Sequence, residues 1–316
     1  MKPAIRHLQL ILRERRQMES GITTLVLADQ DDWRLPAFRP GAHIDIHLAN
    51  GMVRTYSLCN DPADCRRYVL AIKHEPQGRG GSAYIHNTLQ EGDTVGVSVP
   101  RAGLDLIDDG MNVFIAGGIG ITPFISAIRW LERRHKTNYV LHWLNKGVPG
   151  LQGLLHAALI GGRVHLHNTL DQPRPSLASL LKQHEATAKA FGCGPNTLLE
   201  DFESAVQNWP DDRKHIERFK PLKPAADPDA RPYTVKLAKS GQERVVLPEV
   251  GLAATLQAMN ADVSLSCEGG LCGACRTRWL EGPPIHRDRV LSPHERETDV
   301  MVCVAGCKGP KLVLDL

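Results

Sequence analysis

Three of the chain's eight cysteines lie within nine residues, at Cys267, Cys272 and Cys275. A fourth, Cys303, follows in the strand-like stretch "VMVCVAG". A C-x4-C-x2-C group with a more distant cysteine has the ligand spacing of a plant-type [2Fe–2S] cluster. The spacing therefore predicts a redox centre that takes up and releases single electrons.

Four of the six residues between these cysteines are small: Gly269, Gly270, Gly273 and Ala274. Backbone N–H groups can therefore approach the sulfur atoms and stabilise their negative charge. A structural zinc site is the weaker interpretation, because such sites usually pair two C-x2-C knuckles and one is present here. Cys307 is an alternative fourth ligand, but Cys303 fits better; we expect Cys307, Cys59 and Cys65 to be small apolar residues.

A second group of residues, "RTYSLCN", begins at Arg54 and suits a flavin. The guanidinium can hold a phosphate through two hydrogen bonds, the Tyr56 ring can lie on the isoalloxazine, and Ser57 can reach the N5 edge, where hydride arrives. Further on, residues 80–82 (Gly-Gly-Ser) open a predicted helix whose first N–H groups can hold a phosphate. Because no adenine-binding loop is evident beside this phosphate site, we expect FMN.

A strand, a glycine turn and a helix are predicted in "NVFIAGGIGITPFISAI". Gly117, Gly118 and Gly120 would let the backbone approach a pyrophosphate, with Thr122 as the helix N-cap and Pro123 at the first helical position. The Rossmann fingerprint is incomplete, since its third glycine is missing and no Asp or Glu closes the second strand. The motif alone therefore indicates a nucleotide site only weakly.

A second glycine turn, "FGCGPNTLLEDF", follows a later strand. Its Cys193 has a small, polarisable side chain that can touch a nicotinamide ring. We expect Ser57 and Cys193 to flank the reacting atoms as the catalytic residues.

The elements that must position these groups divide the chain into segments. Short strands separated by turn residues over 1–106 predict a small antiparallel barrel. Strands and helices alternate over 107–220, which predicts a parallel sheet with helices on its faces. Residues 221–232 are rich in proline and predict an extended linker. Residues 233–316 predict a β-rich module that starts with a hairpin turning at Ser240 and Gly241.

Helices are predicted at four places in the second segment, namely "TPFISAIRWLERRH", "LQGLLHAAL", "PSLASLLKQHE" and "NTLLEDFESAVQ". In the first of them Phe124, Ile128 and Leu131 share one face. We expect that face to pack on the sheet.

Composition narrows the class of protein. The charged fraction of 23% and the apolar fraction of 42% are typical of a globular protein. A net charge of +3 with scattered basic residues argues against nucleic acid or a membrane surface as a partner. No apolar run reaches the roughly 18 residues of a membrane span, and no signal peptide is recognisable. We therefore expect a cytoplasmic monomer, in a compartment where clustered thiols hold metal rather than form disulfides.

Taken together, the blocks resemble the phthalate dioxygenase reductase family, which includes the vanillate demethylase reductases. The resemblance covers essentially the whole chain and is closest in "SCEGGLCGACRTRWLEG", "HRDRVLS" and "MVCVAGC". It implies an FMN-binding β-barrel over 1–106, an NAD-binding α/β domain over 107–220 and a β-grasp [2Fe–2S] ferredoxin domain over 233–316. It also implies NADH as donor and a Rieske-type oxygenase as acceptor.

By analogy with the family, the flavin would be contacted by a set of residues from both predicted domains: Arg54, Thr55, Tyr56, Ser57, Ala71, Ile72, Lys73, Gly80, Gly81, Ser82, Thr122 and Phe219. The nucleotide would lie along Gly117, Gly118 and Gly120 and against Cys193, Gly194 and Pro195. The chain departs from the family at Asn145 and Lys146, where members often have Arg or Ser, and this departure leaves the choice between NADH and NADPH open.

The implied order of electron transfer follows from the electron count of each group. NADH donates two electrons together as hydride and a [2Fe–2S] cluster accepts one, so a flavin must stand between them. We expect the protein to position and tune these groups, with no side chain acting as a nucleophile. Two alternatives are a non-enzymatic cluster-based carrier or sensor, which the nucleotide segment argues against, and an NADPH-dependent reductase for a separate ferredoxin or cytochrome P450.

Overall fold

The computed structural model describes residues 8–147, 150–155, 163–184, 187–219 and 230–316. The chain divides into two compact units, Met1–Phe219 and Lys220–Leu316. The barrel and the parallel sheet lie together in the first unit, and the cysteine group lies in the second. Most of the predicted linker, residues 221–229, falls outside the described residues.

The first unit begins with six antiparallel strands, β1 (Leu8–Met18), β2 (Ile22–Ala28), β3 (His43–His47), β4 (Val53–Ser57), β5 (Arg67–Lys73) and β6 (Thr94–Val97). Their spatial order is β4-β3-β6-β1-β2-β5. A bridge between Leu58 and Leu70 joins the two outer strands of this order, which closes the sheet into the predicted barrel. Alternate residues, such as Leu25 and Leu27, fill its interior because successive side chains of a strand point to opposite faces.

The barrel carries one short helix, α1 (Gly81–Asn87). As predicted, the helix opens at the Gly-Gly-Ser sequence. Gly80 precedes it with a φ of +79°, a left-handed conformation that favours glycine.

The rest of the first unit is a five-stranded parallel sheet, β7 (Asn112–Gly117), β8 (Tyr139–Asn145), β9 (Val164–Asn168), β10 (Lys189–Cys193) and β11 (Lys214–Glu217). The order β11-β10-β7-β8-β9 places β7 at its centre. Among the described residues its α-helices are α2 (Thr122–Arg133), α3 (Leu177–Lys182) and α4 (Asn196–Ala205). The predicted apolar face of α2 is confirmed, since Phe124, Ile128 and Leu131 are all buried in the core.

Two details of this sheet differ from the predictions. Thr122 is the first residue of α2 and not its N-cap, because a 3₁₀ turn over Gly118–Ile121 runs directly into the helix and the Thr122 hydroxyl donates to the Ile119 carbonyl at 3.1 Å. Where a helix is predicted in "LQGLLHAAL", the described part is a 3₁₀ turn over Gln152–Leu155, and the rest of the prediction falls within residues 156–162, which lie outside the described part of the chain.

The second unit is a mixed sheet with one helix, the predicted β-grasp arrangement. Its elements are β12 (Tyr233–Leu237), β13 (Glu243–Val246), α5 (Gly251–Ala258), β14 (Arg276–Glu281), β15 (Pro284–Ile285), β16 (Asp299–Met301), β17 (Gly306–Cys307) and β18 (Lys311–Leu314). The main sheet has the order β13-β12-β18-β14-β16, and β15 pairs with β17. The predicted opening hairpin is confirmed, with Gly241 at φ +72° in its turn. No helix among the described residues is both long and apolar enough to cross a membrane.

Candidate functional site

Arg54 lies on β4 and reaches across to the start of α1. Its Nη2 donates to the Arg79 carbonyl at 2.6 Å and its Nη1 donates to the Val53 carbonyl at 2.8 Å. A Cβ on Gly81 would come within 2.5 Å of the Arg54 side chain, so only glycine admits the arginine there. The Ser82 hydroxyl steadies the same loop by accepting the Glu75 N–H at 3.0 Å. The fold thus brings together the two motifs expected to hold a flavin phosphate.

Thr55 and Tyr56 follow on β4. The Thr55 hydroxyl donates to the buried Asp45 carboxylate at 2.7 Å, and Arg101 pairs with that carboxylate at 2.8 Å, so the hydroxyl belongs to the barrel wall. Tyr56 packs against the barrel interior. Burial raises the pKa of the Tyr56 hydroxyl to about 12, and the positive charge of Arg54 opposes the shift. The phenol therefore stays neutral at physiological pH.

The next residue, Ser57, ends β4 and is buried, and its Oγ makes no hydrogen bond of normal geometry with any described residue. Such a hydroxyl fits a group that brings its own hydrogen-bonding edge, as the N5 side of a flavin does. The Glu217 carboxyl lies close enough to Ser57 to be stabilised by it.

Cys193 and Glu217 complete this cluster. The two residues are paired across β10 and β11, and the Cys193 side chain is fully buried. Burial raises the pKa of the Cys193 thiol well above its usual value, and the nearby Glu217 charge adds to the shift. Burial also raises the pKa of Glu217 to about 8, because its carboxyl group is enclosed even though the residue keeps some exposed surface.

Sequence reasoning missed Glu217. The residue stands in "HIERF", directly before the Arg218–Phe219 pair, of which the family resemblance implies a flavin contact only for Phe219. Its position at the end of β11 is the signal that could have identified it. β11 is parallel to β10, which ends at Cys193, and the ends of parallel strands lie together at one edge of a sheet.

Three glycines of the two nucleotide motifs lie where the two loops contact each other. A Cβ on Gly117 would lie 2.7 Å from Pro195 Cδ, and one on Gly194 would lie 3.0 Å from the Gly117 backbone. A Cβ on Gly120 would collide with the Cys193 carbonyl. These glycines therefore let the two loops pack on each other. Gly118, with φ +54°, is not part of that contact, since a Cβ there would lie 3.7 Å from Asn145 Oδ1, an ordinary van der Waals distance.

An acidic residue lies just beyond the end of the strand that follows β8. No Asp or Glu closes β8, but Asp171 follows β9 and accepts a hydrogen bond from the Asn168 amide. The turn is tied to the end of β8, because the Thr169 N–H donates to the Asn145 carbonyl at 2.9 Å. Asp171, Asn145 and Lys146 are thus neighbours at the carboxyl edge of the sheet, where parallel sheets bind nucleotides.

The remaining residues of the predicted flavin set are spread over several elements. Ala71 and Ile72 are buried in β5, and the Ile72 carbonyl accepts from the His86 ring at 2.9 Å. Lys73 ends that strand on the surface. Phe219 lies two residues beyond β11 with 40% of its surface exposed.

In the second unit the cysteine loop carries backbone donors to its sulfur atoms. Cys267 Sγ accepts from the N–H groups of Gly269 and Leu271, both at 3.4 Å, and Cys303 Sγ accepts from Gly270 N–H at 3.2 Å. Positive φ angles at Glu268, Gly270 and Gly273 produce this tight path. Donors aimed at sulfur fit an anionic iron–sulfur cluster, so the residues suit that group.

The four predicted ligands are close together. The Cys303 thiol is within hydrogen-bonding reach of those of Cys267 and Cys275, and the Cys272 thiol is within reach of Cys267. Cys307 instead donates to the Lys311 carbonyl at 3.4 Å. Among the described residues no group of three or more His, Cys, Asp or Glu side chains is arranged to hold a single metal ion; a [2Fe–2S] cluster differs in dividing its four thiolates between two irons.

Comparison with known proteins adds independent evidence. Residues 236–308 match the model of the 2Fe-2S iron-sulfur cluster binding domain. The chain is 38% identical over 292 residues to the heme-dependent oxidative N-demethylase beta subunit of Ectopseudomonas mendocina (strain ymp), with 89% of this chain and 90% of that one covered. It is 33% identical over 317 residues to the phthalate dioxygenase reductase of Burkholderia cepacia, with 98% and 97% covered.

A solved structure of phthalate dioxygenase reductase, described as modular for electron transfer from pyridine nucleotides to [2Fe-2S], matches with a TM-score of 0.74 at 32% identity. The match covers 98% of both chains. The similarity therefore extends over the barrel, the parallel sheet and the cysteine unit together.

Proposed function

The chain belongs to the phthalate dioxygenase reductase family, and from this premise we propose that it transfers electrons from NADH through FMN and a [2Fe–2S] cluster to an oxygenase. The observation that carries the proposal is the meeting of Ser57, at the end of a barrel strand, with Cys193 and Glu217, at the ends of two sheet strands. A flavin bound there accepts an electron pair and passes electrons on singly, as a cluster requires.

On the barrel side, Arg54 and the loop at Gly80, Gly81 and Ser82 hold the flavin phosphate. The arginine supplies charge and the loop supplies backbone N–H groups. Tyr56 and Phe219 offer aromatic faces to the ring system, and Ser57 offers its buried hydroxyl to the N5 edge. The phosphate site adjoins the flavin strand, so FMN is the form proposed.

On the sheet side, Cys193 and Glu217 shape the nicotinamide pocket. At pH 7 a carboxyl with a pKa of about 8 is mostly protonated. It therefore adds little negative charge at the place where hydride moves, and it can donate a hydrogen bond. The nucleotide lies along Gly117, Gly118 and Gly120, and Asp171 discriminates against the 2′-phosphate of NADPH by charge repulsion.

The acceptor proposed is a Rieske-type oxygenase, met transiently by the monomeric chain. A haem-containing oxygenase is the second candidate, favoured by the 38% identity to a subunit of a heme-dependent N-demethylase. Electron-transfer contacts of this kind are small and use charge for rate more than for affinity.

One experiment tests the central proposal. The purified chain should reduce ferricyanide and cytochrome c with NADH, and acid extraction should release FMN. It should oxidise no organic substrate until an oxygenase is added, and Rieske and haem oxygenases compared at equal concentration distinguish the two acceptors. A chain that releases FAD, or that hydroxylates or demethylates an aromatic compound alone, would contradict the proposal.

A further inference from the structure

The turn over residues 286–291, within "HRDRVLS", packs directly against the cysteine loop. The Arg289 N–H donates to the Gly270 carbonyl at 3.1 Å. A Cβ on Gly270 would lie 2.9 Å from Asp288 Cα and 2.8 Å from Val304 Cγ2. Gly270, at φ +67°, therefore lies between this turn and Val304, with no room for a side chain.

Gly270 is also one of the donors to the cluster ligands, through the 3.2 Å contact between its N–H and Cys303 Sγ. Hydrogen bonds to the sulfur atoms draw electron density from an iron–sulfur cluster and help set its reduction potential. A residue that holds the 286–291 turn in place therefore also holds the hydrogen bond from the Gly270 N–H to Cys303 Sγ, which helps set the reduction potential.

Asp288 is the residue that fixes the turn. Its side chain is buried, and Oδ2 accepts the N–H groups of Val290 at 3.2 Å and Leu291 at 2.9 Å. Arg296 lies 3.5 Å from the same oxygen and donates to the Asp288 carbonyl at 2.7 Å. The His286 ring lies beside Oδ1, with its Nδ1 3.7 Å away. Burial of the carboxylate costs desolvation free energy, which its contacts to the turn and to Arg296 offset.

We infer that Asp288 is a positioning residue for the cluster: by fixing the 286–291 turn against Gly270, it keeps the Gly270 N–H on the Cys303 sulfur and raises the reduction potential of the cluster. The inference rests on the proposed electron-transfer function. Asp288 would influence the cluster through Gly270, without contacting a cysteine ligand itself.

The test compares Asp288→Ala with Asp288→Asn in the full chain, by redox titration of the cluster followed through its visible absorption and paramagnetic signal. Both variants lose the same negative charge, and that loss alone would move both potentials upward equally. Only asparagine keeps an oxygen that can accept the two turn N–H groups. Because the charge effect cancels between the two variants, we expect the Asp288→Ala potential to lie below that of Asp288→Asn.

Equal potentials in the two variants, or a higher one in Asp288→Ala, would overturn the inference. If Asp288→Ala does not retain its cluster, Asp288→Ser replaces it, because its short hydroxyl is a poorer acceptor and the same order is expected. Glu243→Ala is the control, since it removes a carboxylate on β13, three strands from β14 in the same sheet, and should leave the potential unchanged. A colourless wild-type chain would reject the proposed function, whereas a brown chain whose Asp288→Ala and Asp288→Asn potentials are equal would reject only the role of Asp288.

Discussion

Replacing Glu217 by glutamine should remove a pH-dependent loss of stability from the first unit. Burial raises the pKa of this carboxyl from 4.5 to about 8. Below pH 4.5 the group is protonated in both the folded and the unfolded chain. As the pH rises from 4.5 to 8 the unfolded chain loses the proton first, so wild-type stability falls throughout this window.

The two pKa values set the size of the effect. Relative to an uncharged side chain, Glu217 lowers the free energy of unfolding by about 1 kcal/mol at pH 5 and by about 3 kcal/mol at pH 7. The free energy of unfolding of Glu217→Gln, relative to that of the wild type, should therefore rise by about 2 kcal/mol from pH 5 to pH 7. Urea unfolding of the holoprotein, followed by flavin fluorescence with equal added FMN, measures this difference.

Glu200→Gln is the matched control, because Glu200 lies on the exposed side of α4 and its replacement should leave the pH dependence as it is. If the free energies of wild type and Glu217→Gln change in parallel from pH 5 to pH 7, the carboxyl ionises normally. The conclusion that the Glu217 carboxyl is enclosed beside Ser57 and Cys193 would then be wrong.

Three further predictions concern the cofactor sites. Cys303→Ser should abolish the brown colour and the [2Fe–2S] paramagnetic signal, whereas Cys307→Ser should keep both; the reverse pattern would exchange the two assignments. Arg54→Ala should weaken flavin retention by about 1.5–3 kcal/mol, the value of a hydrogen bond to a charged group, measured by equilibrium dialysis; unchanged retention would remove the arginine from the phosphate site. Asp171→Asn should lower the ratio of kcat/KM for NADH to that for NADPH, mainly through KM for NADPH; an unchanged ratio would show that Asp171 lies away from the ribose.

Much of the architecture could be predicted from local patterns. The alternation of buried residues such as Leu25 and Leu27 follows from the strand period of two. The spacing of Cys267, Cys272 and Cys275 by itself indicates a short cluster-binding loop. The face of α2 carrying Phe124 follows from the helical period in the same way. These properties depend on residues a few positions apart, so the sequence by itself determined them.

Only the tertiary structure decided which distant residues meet. Glu217 approaches Ser57 because a parallel sheet places β11 beside β10 and the same unit closes a barrel near their ends. Gly117 and Gly194 are required by contact between two loops, which neither motif reveals alone. Asp288 reaches Gly270 only when two loops of the second unit pack together. Such contacts depend on packing across the fold, where burial and charge are set by neighbours remote in the chain, and no local spacing records them.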